Sequence, residues 1–210
     1  MRRNEQQSTL YQIFCESEGN QHIASEYAIG KINGLVDKFR VKRILEVGLG
    51  IGSISGIILV LNRSEPNFDY TGTEANDFCL KALPENLKED YNRLKIYPNL
   101  NVIPSDKKFD LIIIDGKDQN LNAIKELIFE NGIIVIEGDR MPQQDSLLEL
   151  FPDSKYVHCI SREKNKSFSP FLSNQWQGGL KIIFINPTFS QKFWWMRERI
   201  YTKWKYWFIR

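Results

Sequence analysis

The sequence predicts an α/β fold: a doubly wound, mostly parallel sheet of seven strands with helices on both faces. Three observations lead to this prediction. Short apolar segments alternate with segments of helical periodicity, a pattern typical of parallel sheets with right-handed crossovers. The segments 111–114 and 133–136 are entirely apolar, as expected for central strands that are covered on both faces. A glycine-rich turn at residues 48–52 joins a strand to a helix, as in many doubly wound sheets.

The length and composition indicate a single globular domain. The chain has 210 residues, of which 42% are apolar and 26% are charged. Its three cysteines show no zinc-binding spacing, and we expect them to be buried thiols in a reducing cytoplasm. The start of the chain shows no signal peptide, and the longest apolar run is far shorter than the ~20 residues of a membrane span. The formal net charge of +2 does not indicate nucleic acid as a partner.

The first half of the chain is predicted to contain three helices and three strands. Residues 1–21 are polar and are expected to form a loose or marginally helical segment before the domain, which we place at residues 22–189. Pro84 lies in the middle of the third helical pattern, where it opposes helix formation. In order, the elements are a helix at 22–39, a strand at 43–48, a helix at 53–62, a strand at 68–74, a helix at 76–91 and a strand at 94–97.

The second half continues the alternation and ends in a pair of strands. Between these last two strands, residues 161–179 are polar and contain paired glycines. We predict a long loop there, of the kind that often carries function. In order, the elements are a strand at 108–115, a helix at 121–129, a strand at 132–137, a short helix at 145–150 and closing strands at 155–160 and 180–185.

The glycine-rich turn differs from a dinucleotide-binding turn. Gly48, Gly50 and Gly52 let the backbone turn sharply after the first strand and approach a ligand closely. The dinucleotide pattern G-x-G-x-x-G would place its third glycine at Ser53. A carboxylate at Glu46 would repel a pyrophosphate, but it suits a ligand with a positively charged amino-acid end. S-adenosylmethionine (SAM) has such an end and no phosphate, so the turn and its serine predict a SAM site.

A second acid, Glu74, ends the second predicted strand. A carboxylate at this point can accept hydrogen bonds from both hydroxyls of a ribose. The next residue, Ala75, is therefore included in the predicted site.

The loop after the third strand is expected to contact the adenine ring. With that strand at 94–97, the loop begins at Pro98 and includes Asn99. A strand at 100–103 would bring Ser105 and Asp106 to the adenine instead. The second register leaves almost no connection to the next strand, so we favour the first.

Four segments carry a resemblance to a known family. They are E-V-G-L-G-I-G at 46–52, T-G-T-E at 71–74, K-F-D-L-I-I-I-D-G at 108–116 and E-N-G-I-I-V-I-E-G-D at 130–139. In this order they resemble the glycine-rich, ribose-binding, fourth-strand and fifth-strand motifs of class I SAM-dependent methyltransferases, which have a Rossmann-like fold. The resemblance covers roughly residues 22–150 and is greatest to small catechol-type O-methyltransferases. It implies a SAM-dependent enzyme that methylates an oxygen of a small acceptor.

The resemblance also bears on metal binding and catalysis. Catechol-type enzymes hold a divalent cation with an aspartate after the fourth strand and an Asp-Asn pair after the fifth. Asp115 matches the first position, but the second reads Glu137-Gly138, and Asp139 is the acid left to substitute. We therefore assign no metal ligand. Whether the site binds Mg²⁺ as a cofactor is left open at this point. Asp115 and Asp139 are the predicted catalytic residues, because they follow central strands at the edge where ligands bind and can orient an acceptor or take its proton. Further candidates are Lys117, Glu137, His22 and His158.

The C-terminal segment 190–210 is basic and aromatic. It contains six basic residues, one acid and four of the five tryptophans. We predict an amphipathic helix, with its apolar residues at helical spacing, that lies on an anionic membrane at the inner face. Docking would bring the site near a glycan or lipid-linked acceptor. The alternatives are packing on the domain's own core and a homodimer contact. The apolar residues of the helix are Phe193, Met196, Ile200, Trp204 and Trp207.

Two other functions remain open. Aminopropyl transfer from decarboxylated SAM uses a similar fold, but it needs extra acids to bind a polyamine, and the region after Asp115 offers only Asp118. A SAM-binding or membrane-docking module without catalysis is the second alternative. Turnover of labelled SAM distinguishes this module from an enzyme.

Overall fold

The computed structural model describes residues 3–209, apart from the side chains of residues 206, 208 and 209, and it contains a seven-stranded sheet. In chain order the strands are β1 (Arg43–Val47), β2 (Asp69–Thr73), β3 (Leu94–Tyr97), β4 (Phe109–Ile114), β5 (Ile128–Glu137), β6 (Lys155–Ile160) and β7 (Gly179–Phe184). Their order in the sheet is β3-β2-β1-β4-β5-β7-β6. Strands β1 to β5 are parallel, whereas β7 is antiparallel to β5 and β6. The mostly parallel seven-stranded sheet predicted from the sequence is confirmed.

Helices cover both faces of the sheet, as predicted. In chain order they are α1 (Arg3–Glu16), α2 (Glu26–Phe39), α3 (Ser53–Leu61), α4 (Asp77–Leu87), α5 (Ile124–Leu127), α6 (Met141–Leu150) and α7 (Phe189–Ile209). Apolar side chains of α1, α2, α3, α4 and α7 belong to one buried cluster, and those of α5 and α6 belong to a second. Strand residues alternate between the two clusters, as Ile44 and Leu45 do, because successive side chains point to opposite faces.

The N-terminal segment differs from the loose or marginally helical segment predicted for residues 1–21. Residues 3–16 form α1, and its buried residues Tyr11, Phe14 and Cys15 belong to the core. Their spacing of three and four residues places them on one side of the helix. A Cβ atom added at Gly56 of α3 would lie 2.8 Å from the Phe14 ring. The missing side chain at Gly56 therefore leaves room for Phe14, a complementarity that the polar composition of α1 does not reveal.

Several element boundaries also differ from the prediction: α4 ends at Leu87 and not near residue 91, and α6 begins at Met141 and not at residue 145. Helix α2 begins at Glu26 and not at residue 22, because the Ser25 side chain accepts a hydrogen bond from the Ala28 amide and caps the helix. Strand β5 begins at Ile128, so the helix predicted at 121–129 is reduced to a short 3₁₀ turn and α5. Ile128 pairs with Phe109, and the register then shifts before the central pairs of β4 and β5. This irregularity is typical of a β-bulge.

The sheet topology creates a ligand-binding edge. Strand β1 has β2 on one side and β4 on the other, so the chain order reverses there. In open α/β sheets, ligands bind outside the carboxyl ends of the strands at such a point.

Helix α7 corresponds to the helix predicted at 190–210, although Arg210 lies outside the described residues. It runs along β6 in the same direction as that strand. Trp195 Nε1 donates to the carbonyl of Tyr156 at 2.8 Å, and Lys205 Nζ donates to the carbonyl of Ile160 at 2.6 Å. Across the described residues, no helix combines the length and the apolar character that a membrane crossing requires.

Candidate functional site

The turn after β1 is a backbone cradle that depends on two glycines. Gly48 has φ +88° and Gly50 has φ +54°, conformations that side-chain-bearing residues rarely adopt. A Cβ atom added at Gly48 would lie 2.4 Å from the Cα atom of Gly116, and one added at Gly50 would lie 2.6 Å from the carbonyl oxygen of His22. The turn therefore packs closely against the loop after β4 and the loop before α2.

The carboxylate of Glu74 is held in a defined orientation directly after β2. Its Oε2 atom accepts a hydrogen bond from the Gly50 amide at 2.8 Å. Its Oε1 atom accepts from the amides of Ala75 and Asn76 at 2.9 and 2.8 Å. A carboxylate has about four lone-pair positions, so these three bonds leave Oε2 able to accept one more hydrogen bond from a ligand.

A cleft of about 590 Å³ opens at the carboxyl edge of the sheet, a volume suited to a ligand of cofactor size. Of the residues predicted for the site, the cleft brings together Gly48, Gly50, Glu74, Ala75, Asn99 and Asp115. Its lining also includes Gln21, His22, Thr73, Pro98, Lys117, Asp118, Glu137 and Arg140.

The other four predicted site residues lie outside this lining. Glu46 is fully buried beneath the turn, where the Tyr70 hydroxyl donates to its Oε2 atom at 2.6 Å. Gly52 faces Leu83 and Leu87 of α4. The Ser53 hydroxyl accepts a hydrogen bond from the Ala24 amide at 3.3 Å and connects the start of α3 to the segment before α2. Asp139 lies on the surface after β5, with its side chain almost fully exposed.

Glu46 is a buried acid with incomplete hydrogen bonding. Its Oε1 atom has no hydrogen-bond partner among the described residues. Burial raises the pKa of Glu46 well above its ordinary value, although the Tyr70 hydroxyl acts in the opposite direction. Burial has this effect because a low-dielectric environment disfavours the charged form.

Asp115 and Glu137 form a carboxyl pair at the floor of the cleft, after β4 and at the end of β5. Burial raises the pKa of Asp115 well above its ordinary value, and the neighbouring charge of Glu137 raises it further. Burial also raises the pKa of Glu137, which accepts a hydrogen bond from the Ser25 amide at 3.3 Å. Two close carboxyl groups resist double ionisation. The raised pKa values of both groups favour a form of the pair that keeps one proton between the two carboxyl groups.

Arg140 supplies a positive charge next to this carboxyl pair. Its guanidinium contacts Asp115 Oδ1 at 3.3 Å, and it also donates to the backbone carbonyls of Asp115 and Glu137. The charge of Arg140 lowers the pKa of Asp115, against the larger effect of burial. Sequence reasoning missed Arg140, although the available signal was a single cation three residues after Glu137.

The carboxylate oxygen atoms near Asp115 are not arranged like the divalent-cation site that the resemblance implies. Such a cation needs several oxygen atoms that converge on it. The Asp139 side chain is 92% exposed, and its Oδ1 atom lies 3.7 Å from Lys181 Nζ. Asp115 is paired with Arg140 instead. Among the residues that the structure describes, no three His, Cys, Asp or Glu side chains are grouped so as to hold a metal ion.

The side of the cleft predicted for adenine is built by two connected loops. Strand β3 occupies residues 94–97, so the favoured register is confirmed, and Pro98 and Asn99 line the cleft. Asp118 accepts hydrogen bonds from the Leu100 amide at 3.0 Å and from the Asn120 amide at 2.7 Å. This carboxylate therefore connects the loops after β3 and β4.

The two histidines lie in different places. His22 lines the cleft, next to the turn at Gly50. His158 lies on β6 opposite Lys181, outside the lining. Burial and the charge of Lys181 lower the pKa of His158.

Comparisons with solved structures agree with this geometry. An O-methyltransferase from Bacillus cereus in complex with S-adenosylhomocysteine (SAH) has a TM-score of 0.63 at 15% identity, over 86% of this chain and 90% of that chain. The SAH-bound methyltransferase PaMTH1 of Podospora anserina has a TM-score of 0.58 at 17% identity, over 85% of this chain and 87% of that chain. These likenesses show that the chain has the class I SAM-dependent methyltransferase fold. No protein-family model and no curated protein matches the sequence.

Proposed function

We propose that this chain binds SAM in the cleft and transfers its methyl group to a hydroxyl oxygen of a small molecule, a glycan or a lipid-linked intermediate. The main support for the proposal is that one edge of the sheet holds the glycine cradle, the oriented Glu74 carboxylate and the Asp115–Glu137 pair together. The solved structures with the same fold are described as methyltransferases, and two of them contain SAH.

The cleft residues fit SAM. The remaining acceptor position of Glu74 is suited to a ribose hydroxyl. Gly48 and Gly50 allow the ligand to approach the backbone, with Ala75 and Asn99 on the adenine side. Glu46, Gly52 and Ser53 lie behind the cradle, and their part in our proposal is to hold its shape.

The carboxyl pair is suited to managing the proton of an acceptor hydroxyl. When bound, SAM supplies a methyl group on a positively charged sulfur, which becomes a neutral thioether as the methyl bonds to the acceptor oxygen. The hydroxyl proton must leave, and the ionised member of the Asp115–Glu137 pair can accept it. Arg140 faces Asp115 and stabilises the negative charge on the pair. We assign proton transfer to this pair and not to Asp139, which faces Lys181.

We further propose that transfer does not need a divalent cation. The Arg140 guanidinium supplies positive charge to Asp115, where the resemblance implies a metal ion. Activity is therefore expected to be unchanged by EDTA. Loss of activity in EDTA, with recovery on addition of Mg²⁺, would contradict this proposal and leave the SAM assignment intact.

Ligand binding tests the proposal first. Calorimetry should detect SAM and SAH but not NAD. We expect Glu74→Ala to weaken SAM binding by about 1.5–3 kcal/mol, the range for hydrogen bonds to a charged group. Asp69→Ala is the matched control, since Asp69 lies at the opposite end of β2 and pairs with Lys95. It should leave SAM affinity unchanged. Binding of NAD without SAM or SAH would overturn the assignment.

Turnover then distinguishes the enzyme from the alternatives. Methyl-labelled SAM is incubated with a panel of hydroxyl acceptors, and we expect the label in an acceptor and SAH as the second product. Transfer from decarboxylated SAM to a polyamine would support an aminopropyltransferase instead. SAM binding without transfer to any acceptor would favour a non-catalytic module.

A further inference from the structure

Helix α7 faces the domain with mostly polar side chains, together with Trp194 and the partly buried Trp195, and it is apolar where it faces outward. Its buried positions are Gln191, Trp194, Glu198, Thr202 and Lys205. All but one of these side chains are polar. An ordinary surface helix has the reverse arrangement, with its apolar side toward the core.

Specific polar contacts hold the inward side in place. Lys31 of α2 pairs with Glu198 at 2.8 Å. Gln191 Nε2 donates to the carbonyl of Asn131 at 2.9 Å, and Lys205 Nζ donates to the carbonyl of Ile160 at 2.6 Å. Rotation of α7 that buried its apolar side would break these contacts and leave Glu198 and Lys31 without their partners. This cost argues against packing of the apolar side on the domain's own core.

The outward apolar side is a continuous line of exposed side chains, which we call the stripe. Phe193 is 60% exposed, Ile200 is 63% exposed and Trp207 is 79% exposed. The members recur every three or four residues, so they lie along one side of the helix. A helix of 21 residues is about 31 Å long. The stripe consists of Phe189, Phe193, Met196, Ile200, Trp204 and Trp207.

Basic residues flank the stripe. At 100° per residue, Lys192, Arg199 and Lys203 lie together along one side of it, and all three are exposed. The sole acid of α7, Glu198, faces inward and is paired with Lys31 and Arg197. The outward surface of the helix is therefore apolar in the middle and positively charged along its border.

We propose that the stripe docks on the surface of an anionic bilayer. Aromatic rings are favoured at the headgroup level, and a helix with basic residues beside an aromatic face lies in the interface plane. The border charges complement anionic headgroups. In an antiparallel pair of α7 helices docked through the same stripe, Lys192, Arg199 and Lys203 would lie against like charges, without an acid of α7 to offset them. The inference is independent of methyl transfer.

Co-sedimentation of the full-length protein with vesicles tests the proposal. We expect the protein to pellet with vesicles of phosphatidylcholine and phosphatidylglycerol and to remain in solution with phosphatidylcholine alone. Binding should weaken as salt rises from about 0.1 M to about 1 M, because the Debye length falls from about 10 Å to about 3 Å. A blue shift of tryptophan fluorescence and quenching by brominated lipid should accompany binding.

Paired isoleucine variants isolate the stripe. Ile200→Ser should reduce partitioning onto anionic vesicles by roughly tenfold, because it removes apolar area from the docked surface. Ile13→Ser is the matched control, since Ile13 lies on α1 and is 56% exposed. It should leave partitioning unchanged. Lys192→Gln with Lys203→Gln should reduce partitioning by roughly tenfold or more, since each basic residue near an anionic surface contributes about fivefold. Both isoleucines and both lysines are exposed, and thermal melting checks that each variant is folded.

Three results would overturn the proposal. The first is that the folded wild-type protein does not bind anionic vesicles. The second is equal binding to neutral and anionic vesicles. The third is a dimer that Ile200→Ser converts to a monomer while the wild type ignores vesicles; the stripe would then be an interface between copies of this chain.

Discussion

Asp115 owes its chemical character to its neighbours and not to its place in the sequence alone. The apolar strand before it predicts that Asp115 lies at the ligand-binding edge, and the structure places it in the cleft. Its coupling to Glu137 and its contact with Arg140 depend on how the loop after β4 meets the end of β5. A single sequence does not show such meetings, because the partners are 22 and 25 positions away along the chain.

Depth along the strands explains why two predicted acids have different positions. Glu74 directly follows β2 and reaches the cleft. Glu46 is the second-to-last residue of β1, and its side chain points to the buried face with Tyr70. In the sheet register Glu46 is level with Gly72, so it lies two residues deeper in the sheet than Glu74, which is one full side-chain repeat. The sequence places both acids near strand ends, but the exact ends of the strands decide which acid faces a ligand.

At the residue scale we predict that Asp115→Asn reduces kcat by about 10²–10⁴-fold, the usual range for loss of a general base. SAM affinity should change little. The wild-type rate should rise with pH as the first member of the pair ionises, with an inflection above the ordinary carboxyl range. Arg140→Gln should move that inflection to higher pH, because the guanidinium lowers the pKa of Asp115. Steady-state kinetics across pH, with calorimetry for SAM, measure these effects.

Glu130→Gln is the control for these kinetics. Glu130 is exposed on β5, at the strand end opposite Glu137, and its variant should keep the wild-type profile. An Asp115→Asn enzyme with undiminished turnover would remove Asp115 from proton transfer. An unshifted inflection in Arg140→Gln would show that the titrating group is not the pair.

At the element scale, the turn between β1 and α3 depends on the absence of a side chain at Gly48. We predict that Gly48→Ala destabilises the fold by at least about 1–3 kcal/mol, the cost of a residue held in unfavourable backbone geometry, and that it abolishes SAM binding. The added methyl would meet the backbone of Gly116 at 2.4 Å, where no flexible side chain can move aside. Thermal unfolding and calorimetry measure the two effects.

Gly34→Ala is expected to change the stability of the fold in the opposite direction. Gly34 lies in α2, and no described atom beyond its immediate helical surroundings lies within 4 Å of an added Cβ. Alanine is favoured over glycine inside a helix by roughly 0.5–1 kcal/mol, so this variant should be more stable than the wild type. If Gly48→Ala and Gly34→Ala changed the free energy of unfolding equally, the turn would not depend on the missing side chain at Gly48.

Periodicity predicted the helices better than it predicted their packing. The spacing of Phe193 to Trp207 indicates an amphipathic helix, and α7 is present. The apolar side of α7 nevertheless faces outward, because Glu198 and Lys205 have polar partners on α2 and β6. In α1, by contrast, three apolar residues suffice for burial because α3 presents a glycine to them. Which side of a helix is buried depends on the partner surface, which helical periodicity alone does not describe.

At the scale of the whole molecule, buried acids affect stability in opposite directions. Burial pushes the pKa of Asp90 upward, but contacts with Arg63 and Arg93 outweigh it and leave the pKa below its ordinary value. Its contribution is present above the ordinary carboxyl pKa and is lost as pH falls. Glu46, Asp115 and Glu137 have raised pKa values. Their folded forms retain protons that the unfolded chain releases, so their contribution is lost as pH rises. Stability is therefore expected to be greatest in mildly acidic solution.

Glu46→Gln tests this pH dependence. A group whose pKa is raised on folding lowers stability with a limiting slope of about 1.4 kcal/mol per pH unit between its unfolded and folded pKa values. The glutamine variant lacks this titration, so its free energy of unfolding should fall less steeply between pH 5 and pH 8 than that of the wild type. Urea unfolding at several pH values measures the slopes. Identical slopes would show that Glu46 titrates alike in the folded and unfolded states.

The direction of α7 has a geometric consequence for access to the cleft. The helix runs along β6, so the axis of α7 follows that edge strand, and the carboxyl end of β6 lies at the same edge of the sheet as the cleft. On a docked protein this axis lies in the plane of the bilayer. The lining of the cleft contains no described residue of α7, so the docked helix does not block its mouth. A lipid-linked acceptor would arrive by lateral diffusion and would need a headgroup that extends above the phosphates into the water layer.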